Sequence, residues 1–294
     1  RQTGGPGTHR RRTQGLRYPP QKMQFRRFGP RQCTGRDRQG RAEIIEPDRP
    51  RPLRLLTIRS CLPAIDGWTV ILVLISLAGL LGLVILVGSL LYWLLSARLF
   101  DVQETPWPLV AGSIIQTLVI VGAVEIGWRR RKKLLWKEIG FGKTSLRMLA
   151  LIGVAGVLLA GAIEFIERQL DVKPGDLIPE LIAPQGFVWT HFIAVLLTVG
   201  LLAPIAEELI FRGVLYSWLR TRLNMFLAIG LNAGLFGVIH MGYPLPLMVL
   251  VALMGAVFAW SFEKTGSLWV PIVLHMGQNS AVVIAIYATL YRTP

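Results

Sequence analysis

The sequence predicts an all-α fold, a polytopic transmembrane helical bundle of about seven spans. Three observations predict it. Hydrophobic residues make up 52% of the 294 positions and charged ones only 17%, against roughly a quarter charged in an ordinary soluble domain. The apolar residues fall in long blocks near the ~20 residues needed to cross a bilayer. Between the blocks, charges gather in short runs whose sign alternates along the chain, as loops on opposite membrane faces do.

Residues 1–67 read as a basic extension without a packed core. Most of the net charge of +15 lies here, in Arg10–Arg11–Arg12, Arg26–Arg27 and Arg36 to Arg59, among many Gly, Pro and Gln. Such a stretch has too little apolar surface to offset chain entropy, so disorder is expected. It could serve nucleic acid or an anionic membrane face, but a plain solvated tail is the preferred reading, and no nucleic-acid partner is expected. Ser60 is its only serine, which argues against a transit peptide. Cys33 and Cys61 form neither a disulfide framework nor a zinc pattern.

Residues 68–187 hold three expected spans with their loops. Trp68 to Leu95 is an uncharged aliphatic block with Trp68, Tyr92 and Trp93 near its ends, where interfacial aromatics sit. Trp107 to Ile126 follows, then Arg129–Arg130–Arg131–Lys132–Lys133. This is the densest basic loop between blocks, which the positive-inside rule places in the cytoplasm. The third span is Met148 to Phe165, and the acidic loop after it, with Asp171, Asp176 and Glu180, is expected outside.

Residues 188–294 carry four more blocks. Val188 to Ile210 contains Glu207 and Glu208, and Arg212, Arg220 and Arg222 after it are read as a return to the basic side. Met225 to His240 would be only about 24 Å long, short of the ~30 Å hydrocarbon core. His240 is therefore expected at membrane depth, beside a break at Gly242–Tyr243–Pro244. Irregular backbone at that depth needs a surrounding cavity. Leu245 to Phe262 is the sixth block, Glu263–Lys264–Thr265–Gly266 a short turn, and Leu268 to Leu290 the seventh.

Ionisable side chains inside spans are costly and point to function. Glu208 and Arg212 are four apart and share a helix face. Glu207 points about 100° away with no local partner, and a desolvated carboxylate is a better base. Two solvated glutamates at a helix end are the plainer alternative. His240 alone could be a structural hydrogen-bonder. His275 and Asn279, also four apart, could be an interhelical clasp. Together they offer a carboxylate base, an imidazole and further donors, which amide hydrolysis requires. His9 and His191 receive no role. The sequence has no His-Glu-x-x-His zinc helix, no Gly-x-Ser-x-Gly elbow and no paired membrane aspartates.

Glu207-Glu208-x-x-x-Arg212, Phe236-x-x-x-His240 and His275-x-x-x-Asn279, in this order and in separate blocks, resemble the three motifs of the CPBP intramembrane proteases. This is the CAAX protease and bacteriocin-processing, or Abi, family, which includes the type II CAAX prenyl endopeptidases. The resemblance covers about a third of the chain. It implies a glutamic-type intramembrane endopeptidase. Glu207 would activate water, assisted by His240. His275 and Asn279 would hold and polarise the scissile carbonyl, and Glu208 and Arg212 would support the site. It implies a peptide or protein substrate, such as a prenylated CAAX-type or bacteriocin-like peptide, a lipid bilayer as the setting, and the plasma membrane of a prokaryote. No cofactor is expected. Zinc at Glu207, His240 and His275 is the alternative, disfavoured because adjacent helical glutamates cannot easily face one ion. Two other functions fit the same residues. An ion-coupled transporter also uses intramembrane polar groups and broken helices, although no repeated halves are visible. A non-catalytic scaffold or immunity protein would use them only to clamp helices.

Overall fold

The structure is a computed structural model that describes residues 35–36, 42–43, 65–79, 82, 105–170 and 177–292. The chain divides into two units, Arg1–Arg49 and Pro50–Pro294. In the first, Gly35–Arg36 (β1) pairs antiparallel with Ala42–Glu43 (β2). The expected disorder of the remaining extension, and the readings of Cys33 and Cys61, lie outside the described residues.

The second unit is helical. Its described helices are α1 (Gly67–Gly79), α2 (Trp107–Arg130), α3 (Leu146–Gln169), the short α4 (Leu177–Ile182), α5 (Trp189–Arg220), α6 (Met225–Val238), α7 (Leu245–Thr265) and α8 (Trp269–Arg292). Five of these, α2, α3, α5, α7 and α8, are long and apolar enough to cross a membrane, and α1 and α6 are shorter apolar helices. The protein is an integral membrane helical bundle. The expected first span is described only as far as α1 and Gly82; the rest of it lies outside the described residues.

Local sequence explains where the helices begin and end. Asn224 caps α6, its side chain accepting from the Leu227 N–H at 3.0 Å. α7 starts at Pro244–Leu245–Pro246 and stops at Gly266, whose φ of 63° is the left-handed conformation glycine adopts at little cost. Leu268 N–H then donates to the Gly140 carbonyl at 3.0 Å, tying the start of α8 to the loop before α3.

Packing follows membrane rules. Between apolar helices in lipid, close van der Waals contact replaces the hydrophobic effect. α3 lies along α8 through Gly153 and Gly156 on one side and Leu274 and Gly277 on the other. A Cβ on Gly156 would stand 2.2 Å from the Leu274 carbonyl oxygen, and one on Gly277 2.4 Å from that of Gly153. Much of the rest of α3, including Leu151, Leu158 and Phe165, is exposed, as an outer helix in lipid would be. The innermost side chains, among them Trp128, Tyr216, Phe262 and Ile272, come from α2, α5, α7 and α8.

Three sequence expectations need correction. The fourth span does not end at Ile210: α5 runs on to Arg220, about 48 Å at the usual rise. Arg212 and Arg220 are therefore not a solvated basic flank; both are buried. Glu263 is not in a turn but in the last turns of α7, buried, where it accepts from Arg220 and from the Tyr216 hydroxyl at 2.7 Å. Helical continuity outweighs charge here because each buried ion has a partner. The basic run after the second span is also partly neutralised. Glu125 pairs with Arg129 and Arg130, and Asp66 with Arg131 and Lys132.

Candidate active site

The motif residues meet in the middle of α5. There the helix is α-helical only over Ala203–Glu208, with wider π turns at Leu196–Leu202 before it and Leu209–Tyr216 after it. Such turns are rare and frequent at functional sites. Pro204 gives one local cause. It has no N–H to give to the carbonyl one turn earlier, Val199 in a wide turn or Gly200 in an ordinary one. Helix α8 supplies replacements. Asn279 Nδ2 donates to the Val199 carbonyl at 3.1 Å, and the Ser280 hydroxyl comes to 3.5 Å from that of Gly200.

The adjacent glutamates have different environments. Glu208 is fully buried, and its Oε1 accepts from Arg212 Nη1 at 2.8 Å and from His275 Nδ1 at 2.9 Å. Glu207 keeps 16% of its side chain exposed, and its Oε2 stands 3.9 Å from the other nitrogen of the same imidazole, His275 Nε2. One histidine thus stands against both carboxylates. That gap to Nε2 is too long for a direct hydrogen bond and is of the size a water bridges.

The surroundings are aromatic. His275 stacks on Phe258 at 4.7 Å and meets the edge of Phe236 at 5.9 Å. Arg212 donates through Nη2 to the Gly255 carbonyl at 2.8 Å, and its guanidinium lies over Phe236, Phe258 and Phe211 at 4.7, 5.3 and 5.8 Å. A cation there is stabilised by three ring faces in a dry site. Phe236, the first residue of the second motif, also touches His240 at 5.1 Å, so one ring separates the two histidines. His240 is half-buried past the end of α6, with Nδ1 on the Phe236 carbonyl at 2.8 Å.

The six polar motif side chains therefore lie on α5, on α8 and just past the end of α6, with Arg212, His240 and His275 against Phe236. His191, which the sequence left without a role, is elsewhere: it is buried near the start of α5, edge-on to Trp107 at 5.4 Å. Sequence reasoning missed Phe258, the Gly255 carbonyl and Asn232, whose buried amide donates to the Phe211 carbonyl at 2.9 Å. Only Asn232, an amide in an apolar block, left a signal to follow. Among the described residues, no three of His, Cys, Asp or Glu converge as metal ligands.

Comparison with known proteins falls on the same helices. Residues 189–281 match the family model "Type II CAAX prenyl endopeptidase Rce1-like". The curated protein "Putative membrane peptidase YdiL" of Bacillus subtilis (strain 168) is 35% identical over 85 residues, which are 29% of this chain and 34% of that protein. The chain thus spans about a third of the length of the curated relative it matches. No solved structure matches it significantly. Residues 189–281, which hold all three motifs, are thus similar to the type II CAAX prenyl endopeptidases of the CPBP family.

Proposed function

We propose that the protein is an intramembrane endopeptidase that hydrolyses a peptide bond with a water activated by Glu207. The observation that carries this reading is the asymmetry of the glutamate pair. Glu208 is sealed with its Oε1 taken by Arg212 and His275, whereas Glu207 is partly open and, among the described residues, holds no direct hydrogen bond. A general base needs that freedom, and the sealed partner keeps the imidazole in place.

The steps balance as follows. The water oxygen bonds to the scissile carbonyl carbon while its proton moves to the Glu207 carboxylate. The carbonyl π electrons move to oxygen, giving a tetrahedral oxyanion. Glu207 returns the proton to the amide nitrogen as the C–N bond breaks, leaving a carboxyl terminus and an amine. His240 assists at the water. Its Nδ1–H is given to the Phe236 carbonyl, so a neutral ring presents a lone pair at Nε2. Asn279 polarises the carbonyl with the N–H that Val199 does not use. His275 helps hold the carbonyl beside it. The reading assigns no metal to this step. The substrate is a membrane-proximal peptide, prenylated or unmodified. The protein acts in a prokaryotic plasma membrane with Arg129–Lys133 on the cytoplasmic side.

The test uses purified protein in detergent and a library of isoprenylated and unmodified peptides, read by mass spectrometry. Wild type should cleave, with and without a strong chelator. Glu207→Gln should lose about 10²-fold or more, the usual worth of a general base. Equal cleavage by Glu207→Gln, or its loss with chelator, would overturn the reading.

A further inference from the structure

The site has a shortage of hydrogen-bond donors. A tetrahedral oxyanion needs preorganised donors at about 2.7–3.1 Å, and each is worth a large factor in rate. His275 spends Nδ1–H on Glu208 and His240 spends Nδ1–H on the Phe236 carbonyl. A neutral imidazole with its proton on Nδ1 has only an acceptor at Nε2. Asn279 spends one N–H on the Val199 carbonyl. Arg212 is buried against Glu208 and the Gly255 carbonyl. Among the described residues Arg212 Nε has no partner, but it is sealed from the site's opening, so with both histidines neutral one amide N–H of Asn279 is the motif donor left for a substrate.

Tyr243 is placed to make up the deficit. It sits in the turn between α6 and α7, where its backbone N–H donates to the His240 carbonyl at 2.9 Å. Its ring lies 5.7 Å from the His240 ring and packs on the cluster that holds Phe211, Phe236 and Phe258. The residue is half-buried. Among the described residues its hydroxyl has no hydrogen-bond partner, unlike the buried Tyr216 and Tyr287, whose hydroxyls donate to Glu263 and to the Ile182 carbonyl. A phenol next to a catalytic histidine and left unpaired is a donor held in reserve for something that binds.

We propose that Tyr243 is a further catalytic residue of this site, its hydroxyl donating to the substrate's scissile carbonyl and, more strongly, to the oxyanion formed from it. The inference rests on the endopeptidase reading and adds a donor that the three motifs do not contain.

The experiment compares wild type, Glu207→Gln and Tyr243→Phe on a peptide that wild type cleaves. Phenylalanine keeps the ring packing and removes only the hydroxyl. Tyr243→Phe should lower kcat about 10²-fold with KM within about twofold, because the donor acts most in the transition state. A second variant carries 3-fluorotyrosine at position 243, a more acidic phenol of nearly equal size. Its alkaline limb in the pH profile of kcat should move to lower pH, which a purely structural tyrosine would not produce. If Glu207→Gln is inactive while Tyr243→Phe keeps the wild-type kcat and the fluorinated protein the wild-type profile, this inference fails and the endopeptidase reading stands. If Glu207→Gln cleaves like wild type, both fail.

Discussion

Replacing Arg212 by leucine tests whether the centre of the site is held by a buried ion pair. Arg212 and Glu208 are both fully buried and 2.8 Å apart. Removing the cation strands a carboxylate whose other partner is His275 and leaves the Gly255 carbonyl without the guanidinium donor. Breaking a buried pair from one side costs about 3–5 kcal/mol. An independent bound gives a similar figure. The stranded carboxylate can escape by taking up a proton, which at pH 7 costs about 3.7 kcal/mol for a carboxyl with the reference glutamate value. Arg212→Leu should therefore lose about 4 kcal/mol in an equilibrium unfolding titration in mixed micelles, followed by circular dichroism at pH 7. The deficit should shrink as pH is lowered, because the protonated acid needs no counter-charge. The Glu208→Leu, Arg212→Leu double variant should regain most of the loss, since it leaves no stranded charge. Wild-type stability in Arg212→Leu, or a double variant whose loss is the sum of the two single losses, would refute this account.

Two further outcomes follow from geometry elsewhere. Gly156→Ala places a methyl 2.2 Å from the Leu274 carbonyl oxygen; α3 must then move off α8, with an expected loss of about 1–3 kcal/mol in the same titration, whereas an alanine at Gly161, which has open space, should be neutral. Asp66 is held well below the usual carboxylate range, first by the hydrogen bond from Lys132 and then by those from Thr69. Because its folded value is depressed, the stability it contributes is present above the unfolded value of about 4 and is lost as pH falls towards the folded one. Unfolding measured against pH should show that acid-side slope in wild type and a flatter one in Asp66→Asn, and identical slopes would remove Asp66 from the account.

Much of the candidate site was legible before any coordinates. Glu207, Glu208 and Arg212, then His240, then His275 and Asn279 are polar residues where a bilayer would exclude them, and the expense of that placement makes them visible in one dimension. Their pairing was legible only within a helix. The Glu208–Arg212 spacing of four foretold a contact, but the reach of His275 to both glutamates links residues 67 apart in sequence. Likewise Asn279, read as a partner of His275 on the same face, is drawn to the Val199 carbonyl because Pro204 takes a donor out of α5. Tyr243 could have been suspected from its place in the break beside His240.

By itself the sequence determined that the chain is a helical membrane protein and which polar side chains it carries into the membrane, because block length and the cost of a buried charge are local, additive properties. Only the tertiary structure decided which charges are buried and with whom. Arg220 and Glu263 read as flank and turn, yet with Tyr216 they form one hydrogen-bonded clasp between α5 and α7. Whether an arginine near a span's end meets water or a carboxylate depends on where a distant helix places its acid, and a single span's sequence does not contain that information.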